Sequence, residues 1–476
     1  MSKILMVQAP FGTGNDKRPP HIFDPHFPWG LGYISGVLKR ENYDIELFDI
    51  YVHQWNKHEV QKRIDKLSYD YVLITAMATQ YGYIKWLVNE FKKRNKESVI
   101  VLGGPLSTFS YKVVLRNTLV DICVIGPGEE TIIEILSNEA NLKAVSGIAF
   151  KSNDDVYVTE TRKSKRVMDD LPRPAYELFN MDVYKTNKMY IYNKSMGLYS
   201  DEKRPPVMAM ITGRGCPFSC NFCTPSMRNY SERSIESILE EIDFFIHEYG
   251  IGGINFVDEL LFLKRDRINK MAEELGKRGV IWNGQSRIDT IDVDMLEYYK
   301  NNGLVSIGYG IESGSEFLLC EMNKKISVQR TEMVLKKTLE VGLHLKVYLI
   351  YGYPGENKDT LNETVGLFKR IGHPGRRFSI LTQLPGSKIY ELAKQRGLIS
   401  NDDEYLSMIY EGFWRRVINM TEFTDEEFDR ARIDAERRMV ENYKTYMLSL
   451  SSNERQKHLL LCEQDFEKNF LEEIGR

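Results

Sequence analysis

No stretch of the chain approaches the roughly 18 consecutive apolar residues that a membrane-spanning helix needs. The opening Met1-Ser2-Lys3-Ile4-Leu5-Met6-Val7 reads as a short strand, not as a secretory leader, so a soluble cytoplasmic protein with no transmembrane segment is expected. An excess of basic charge is missing too. The 476 residues carry 64 Lys and Arg against 67 Asp and Glu, a net charge of −3. That balance excludes general nucleic-acid binding while leaving room for a local basic groove. Cysteine is scarce, six in all, which excludes a disulfide scaffold. Internal repeats and low-complexity segments are absent. What is present is a long mixed chain, enough for two to four domains at roughly 100–200 residues each.

The first 150 residues alternate short β-rich runs with amphipathic stretches. Strands are expected at Lys3–Ala9, Asp44–Ile50, Tyr69–Thr75, Val99–Gly103 and Asp121–Ile125. Helices are expected near Leu31–Arg40, Lys57–Leu67, Tyr81–Arg94, Phe109–Arg116 and Glu129–Leu136. Apolar strands without polar alternation, separated by helices, imply βαβ units and a parallel sheet covered on both faces. The domain at 1–150 therefore reads as doubly wound and Rossmann-like or flavodoxin-like, with its ligand crevice beyond the carboxyl ends of the strands.

Residues 151–203 show no firm pattern and read as a connector. A second βα series fills 204–399, with strands expected at Val207–Thr212, Gly253–Val257, Val280–Gln285, Leu304–Tyr309, His344–Tyr351 and Arg377–Thr382. Six repeats are too few for an eight-stranded barrel and suit a partial (β/α)6 barrel, whose functional residues gather at the carboxyl ends of the strands. Residues 400–476 read as a helical, charge-rich C-terminal region. There Thr424 and Glu427 form a capping-box signature for a helix that reaches about Met447.

The central signal follows the first barrel strand: Gly213-Arg214-Gly215-Cys216-Pro217-Phe218-Ser219-Cys220-Asn221-Phe222-Cys223. The spacing is C-x3-C-x2-C. A zinc site needs a second Cys or His pair at suitable spacing, and none is adjacent. Three close thiolates without a fourth suit a [4Fe–4S] cluster with one iron left open. The other cysteines carry less. Cys123 is interior to an expected strand, Cys320 sits on an apolar helical face and reads as a core thiol, and Cys462 falls in the helical tail.

This triplet, with Phe222 before its last cysteine, resembles the radical S-adenosylmethionine superfamily, and the resemblance runs from Val207 to about Gly397. It implies that Cys216, Cys220 and Cys223 hold a [4Fe–4S] cluster whose open iron binds S-adenosylmethionine. Positions at the later strand ends agree. Asn255-Phe256-Val257-Asp258-Glu259 lies where the family contacts the methionyl amino group, though many members have Gly-Gly-Glu there. Gln285-Ser286-Arg287 offers a cation to the methionyl carboxylate. Gly310-Ile311-Glu312-Ser313-Gly314 resembles the ribose-contacting turn, Gly352-Tyr353-Pro354-Gly355-Glu356 the turn beside adenine, and Gln383-Leu384-Pro385-Gly386-Ser387 the closing turn. The resemblance thus implies Phe222, Asp258, Glu259, Arg287, Glu312, Ser313, Tyr353, Pro354 and Leu384 as contacts to S-adenosylmethionine.

A doubly wound domain ahead of such a barrel resembles the cobalamin-dependent subgroup. Pro28-Trp29-Gly30-Leu31-Gly32-Tyr33, Ala76-Met77-Ala78-Thr79-Gln80, Leu102-Gly103-Gly104-Pro105 and Gly126-Pro127-Gly128-Glu129-Glu130 match its helix entry and turns. The cobalamin contacts implied are Leu31, Gly32, Thr79, Gly103, Gly104, Pro105, Gly126, Gly128 and Glu129. The same glycines also serve an ordinary strand-to-helix turn. Asp24-Pro25-His26-Phe27-Pro28-Trp29-Gly30 approaches the cobalt-ligating D-x-H-x-x-G but has one residue too many, and the radical subgroup commonly lacks that ligand.

The resemblance implies cleavage of S-adenosylmethionine to a 5′-deoxyadenosyl radical and methylation of an unactivated carbon through methylcobalamin. The alternative is radical cyclisation, rearrangement or carbon–carbon coupling, with or without cobalamin. A non-enzymatic Fe–S carrier or sensor is the remote reading, since carriers usually fill all four iron positions with protein ligands. The implied partners are a small-molecule or lipid-like substrate and an electron donor such as flavodoxin or ferredoxin. No residue is singled out for acid, base or hydrogen-atom chemistry.

Overall fold

Short runs of aliphatic residues bury both faces of their strands and pair in parallel. In a computed structural model describing residues 2–10, 27–152, 155–163, 168–185, 205–225, 227, 229–375, 377–411 and 415–461, these runs build two sheets. The residues fall into two compact units. One holds Met1–Tyr184, Thr224–Ser234 and Gln383–Val417, and the other Lys185–Cys223, Ile235–Thr382 and Ile418–Arg476.

In the first unit, β1 (Ile4–Gln8), β2 (Ile45–Asp49), β3 (Tyr71–Thr75), β4 (Val99–Gly103) and β5 (Ile122–Val124) lie in the order β2-β1-β3-β4-β5, all parallel. This is a flavodoxin-like winding, whose order reverses between β1 and β3 and so opens a crevice at their carboxyl ends. Ile4, Met6, Leu73, Val101 and Ile122 meet Leu31, Val37 and Ile132 from the covering helices in one core. Two antiparallel strands, β6 (Ile148–Ser152) and β7 (Asp155–Val158), extend the sheet beyond β5. They fall at the edge of the stretch read as a connector, because β7 is largely exposed and gives no buried run. Residues 383–417, expected to belong to the barrel and the tail, pack with this first unit. Asp403 accepts from the Tyr81 hydroxyl and pairs with Lys85 at 3.1 Å.

In the second unit, β8 (Val207–Met210), β9 (Gly253–Phe256), β10 (Ile281–Arg287), β11 (Leu304–Glu312), β12 (His344–Tyr351) and β13 (Ser379–Ile380) pair in sequence order, all parallel. Helices Ile235–Tyr249, Arg265–Lys277, Leu296–Asn301, Val328–Val341 and Lys358–Ile371 make the crossovers. The result is a half-barrel with its strand ends at one rim. Helix Asp425–Ser449 starts at the foreseen box: Thr424 N–H donates to Glu427 Oε2 at 3.0 Å and Glu427 N–H to Thr424 Oγ1 at 3.3 Å. The helix is packed as well as charged. Phe428 lies 4.5 Å from Tyr351, and the buried Glu436 is paired with Arg432 at 3.0 Å.

Two scattered cysteines divide. Cys123 is buried in β5 as expected, and burial pushes its thiol up to about 12. Cys320 is exposed, against the expectation of a core thiol. On helix Glu316–Glu321, Leu318 and Leu319 take the buried face and turn Cys320 outward. Cys462, like His26, lies outside the described residues.

Candidate functional site

The cysteine loop leaves β8 at the rim of the half-barrel, anchored at both ends. At its start both carboxylate oxygens of the fully buried Asp258 accept from Thr212: the N–H at 3.0 and 3.1 Å and the hydroxyl at 2.7 Å. Burial holds the Asp258 carboxyl up at about 6 despite these bonds. Asp258, expected at a methionyl amino group, therefore ties the end of β9 to the end of β8.

Further along, the loop rests on residues 321–324. Asn221 N–H donates to the Met322 carbonyl at 2.9 Å and its side-chain amide to the Glu321 carbonyl at 2.7 Å. In return the Asn323 amide donates to the Ser219 carbonyl at 2.8 Å and hydroxyl at 3.0 Å. Tyr353 joins from the turn after β12, its hydroxyl donating to the Glu321 carbonyl at 2.8 Å. The three thiols feel one another electrostatically. Cys223 is exposed at the loop surface, and its thiol is nevertheless raised, by desolvation and by the neighbouring Cys220, Cys216, Glu259 and Glu312. Cys216 is raised by burial, with Glu259 and Cys220 contributing. Three thiols within electrostatic reach of one another make a donor set that a cationic iron–sulfur cluster would suit, since it binds them as thiolates.

Arg287, at the end of β10, is 5% exposed. It forks onto Asp289 at 2.8 and 3.0 Å, donates to the Lys324 carbonyl at 2.6 Å and to Cys220 Sγ at 3.4 Å, and stacks 3.8 Å from the Phe218 ring centroid. Glu312, at the end of β11, sits at a register shift with φ 64° and is paired with Lys324 Nζ at 2.6 Å. A Cβ on Gly310 would meet Glu312 Oε1 at 2.7 Å and Lys324 Nζ at 3.3 Å, so glycine leaves the room this buried pair occupies. Lys324 Nζ also lies 5.8 Å over the Phe222 ring. Ser313 accepts from Ser315 N–H at 3.1 Å, and Gly314 N–H donates to Thr364 Oγ1 at 2.9 Å, which sets the turn against helix Lys358–Ile371. Beside Tyr353 and Pro354, the buried Glu356 accepts from Gly352 N–H at 2.6 Å.

The structure thus gathers Cys216, Cys220, Cys223, Phe222, Glu259, Arg287 and Glu312 into one neighbourhood. Leu384 falls instead in the first unit, in the turn closed by Ser387. Sequence reading missed Lys324, Asn323 and Asp289. Phe218 was visible between the first two cysteines but given no role.

In the first unit the turn after β4 bends at Gly104 (φ 83°), where a Cβ would strike the Ala76 carbonyl at 2.8 Å. A Cβ on Gly103 would find only the Ile74 carbonyl, at 3.9 Å, and one on Gly126 nothing within 4 Å. These two backbone positions face open space at the carboxyl ends of β4 and β5, and among the described residues the buried Gln8 Oε1 at the end of β1 has no hydrogen-bond partner. Open backbone and an orphaned amide oxygen fit a large cofactor bearing amide groups. Thr79, Pro105, Gly128 and the buried Glu129 lie in the adjoining turns or first helical turns. Leu31 and Gly32 do not face that space: Leu31 is in the core, and a Cβ on Gly32 would meet the Phe27 ring at 2.6 Å.

Residues 210–368 match the radical SAM superfamily and residues 22–136 the B12 binding domain. An uncharacterized methyltransferase of Pyrococcus horikoshii is 29% identical over 444 residues, 90% of either chain. The anaerobic magnesium-protoporphyrin IX monomethyl ester cyclase of Cereibacter sphaeroides is 27% identical over 71% of this chain and 55% of its own length. The solved structure of the radical S-adenosylmethionine methyltransferase TsrM from Kitasatospora setae, with cobalamin and a [4Fe–4S] cluster bound, shares the fold. Its TM-score is 0.66 at 17% identity, covering 84% of this chain and 79% of that one. Among the described residues no helix is long and apolar enough to cross a membrane. With a three-thiol loop at the half-barrel rim and a flavodoxin-ordered domain ahead of it, the chain carries a radical SAM superfamily domain together with a B12 binding domain, and these two domains imply a [4Fe–4S] cluster, S-adenosylmethionine and cobalamin as its cofactors.

Proposed function

We propose that the protein is a C-methyltransferase acting on an unactivated carbon of a small-molecule or lipid-like substrate, with a flavodoxin- or ferredoxin-type protein as reductant. The observation that carries this reading is the pairing, in one chain, of the open three-cysteine loop with a B12-binding domain. When bound, the cluster and S-adenosylmethionine supply the 5′-deoxyadenosyl radical, and cobalamin supplies the methyl group.

This chain's residues hold and shield those groups. Cys216, Cys220 and Cys223 are the cluster ligands we propose, leaving one iron for the methionyl group. Glu312 and Lys324 form a buried charge pair whose carboxylate can accept from ribose hydroxyls, and Glu259 stands near enough to the thiols to meet a methionyl ammonium. Gly103 and Gly126 leave main chain bare for the corrin, while Gly104 and Gly128 let the turns beside it pack closely. As domain limits we propose residues 1–184 for the cobalamin domain and 205–382 for the catalytic half-barrel, with 383–417 returning to the first unit.

The test is anaerobic reconstitution with iron, sulfide and hydroxocobalamin, then turnover with S-adenosylmethionine and a reductant. Near four irons and one cobalt per chain, with S-adenosylhomocysteine and 5′-deoxyadenosine formed together, supports methyl transfer. The similarity to the cyclase favours a second reading, radical ring closure. Deoxyadenosine without S-adenosylhomocysteine, from enzyme presented with its substrate, would replace the first reading by that one.

A further inference from the structure

We infer that Arg287 is a positioning residue for the iron–sulfur cluster: it raises the cluster's reduction potential through a hydrogen bond to the Cys220 sulfur and is not the clamp for the methionyl carboxylate. The inference rests on Cys216, Cys220 and Cys223 holding the cluster.

The guanidinium has too few free donors to clamp a carboxylate. A guanidinium has five N–H groups in a fixed fork. Nε and one hydrogen of Nη2 go to the two Asp289 oxygens, at 2.8 and 3.0 Å. Nη2 also donates to the Lys324 carbonyl at 2.6 Å, and Nη1 donates to Cys220 Sγ at 3.4 Å. A single Nη1 hydrogen remains. Two parallel N–H groups, which bidentate recognition of a carboxylate requires, are no longer on offer.

The group is also held in place. Its Cζ lies 3.8 Å from the Phe218 ring centroid, and Phe218 is part of the cysteine loop itself. Asp289 sits two residues along the chain, and the Lys324 carbonyl belongs to the segment that carries the loop. Swinging Arg287 toward a substrate carboxylate would break an ion pair, a main-chain bond, a sulfur bond and a ring contact together.

What such a fixed cation does follows from charge. One-electron reduction adds a negative charge to the cluster and spreads it over the sulfurs. A hydrogen bond to a ligating sulfur and a nearby positive charge favour the reduced form, and both are established determinants of Fe–S potentials. Asp289 offsets part of the guanidinium charge, but its oxygens sit on the side of the fork away from Nη1. The directional N–H to sulfur bond survives that offset. Of the two nearby carboxylates, Glu312 is balanced by Lys324, whereas Glu259 opposes reduction.

The experiment is an EPR-monitored redox titration of anaerobically reconstituted full-length protein, reduced with titanium(III) citrate and without S-adenosylmethionine. Binding is then followed by the change in the cluster spectrum on adding S-adenosylmethionine. In Arg287→Gln the midpoint is expected to move to a more negative value at unchanged iron content, with affinity for S-adenosylmethionine within about threefold of wild type. Phe218→Leu keeps the arginine and loosens its alignment; it should shift the midpoint the same way by less. It carries the test should Arg287→Gln not fold. An unchanged midpoint in either folded variant overturns the inference, as does an affinity loss beyond tenfold in Arg287→Gln. Wild-type protein that takes up no iron would instead overturn the cluster assignment on which the inference rests.

Discussion

At the residue scale, the rim of the half-barrel is built from ionisable side chains that burial ordinarily excludes. Asp258 survives on three bonds from Thr212, Glu312 on Lys324, and Glu356 on main-chain N–H groups of the turn after β12. Glu356 gives the most direct test. Complete burial pushes its carboxyl up to about 8 from the usual 4.5, with the N–H bonds from Gly352 and Tyr353 only partly opposing this. A carboxyl whose folded pKa is raised binds its proton more tightly in the native state. Its contribution to stability is therefore full below about 4.5 and is lost as the pH rises toward about 8. Glu356→Gln keeps an oxygen for the two N–H donors and removes the titration. Thermal melts of the apo-protein should show the variant gaining on wild type steadily between pH 5 and pH 8. A difference in melting temperature that stays flat across that range would mean Glu356 is not neutral in the fold.

At the element scale, the loop that bears the cysteines is fastened to residues 321–324, directly after helix Glu316–Glu321. Two asparagines do most of this, each reaching the other segment's main chain. Asn323→Ala removes two hydrogen bonds, worth about 1 kcal/mol each. That should raise the open population of the loop by roughly tenfold or more. Alkylation of apo-protein by iodoacetamide, read at Cys220 by mass spectrometry, should accelerate by that factor while the exposed Cys320 reacts unchanged and serves as the internal reference. Equal rates at Cys220 in both proteins would mean the latch does not hold the loop. The latch was not legible in the sequence, and the reason is physical. Strands such as His344–Tyr351 and Val99–Gly103 announce themselves because burial on both faces demands an unbroken apolar run. The cysteine triplet announces itself through the spacing of its ligands. Asn323 and Lys324 obey no period and stand one hundred residues from the loop they serve. Pairings at that separation are set by tertiary packing, which is also why the contacts of Arg287 with Phe218, Cys220 and the Lys324 carbonyl leave no signature in the sequence. The return of 383–417 to the first unit escaped for the same reason, and β7 escaped because it is exposed and gives no buried run.

At the scale of the whole molecule, the two halves raise the question of whether their cofactors load together or separately. The donor sets are distinct in kind: thiols on a loop of the second unit, and in the first bare main chain beside a Gln8 amide oxygen that has no partner among the described residues. Nothing in the ligand chemistry of one requires the other, so loading should be independent. Gly103 is the position from which to test this. Its φ of −119° suits any residue, and a Cβ there would meet only the Ile74 carbonyl at 3.9 Å, so a larger side chain enters the open space without straining the backbone. Gly103→Leu should lower cobalt retention after desalting by tenfold or more while iron stays near four per chain. Cys220→Ala should do the reverse, losing iron and keeping cobalt. Metal analysis of the two variants, reconstituted side by side, separates the possibilities. If Gly103→Leu sheds iron as well as cobalt, or Cys220→Ala sheds cobalt, the units are coupled in loading and each cofactor helps to order the other's site. Were cobalt absent from wild type as well, the turns after β4 and β5 would be ordinary strand-to-helix turns, and radical chemistry without methyl transfer would become the working account of the enzyme.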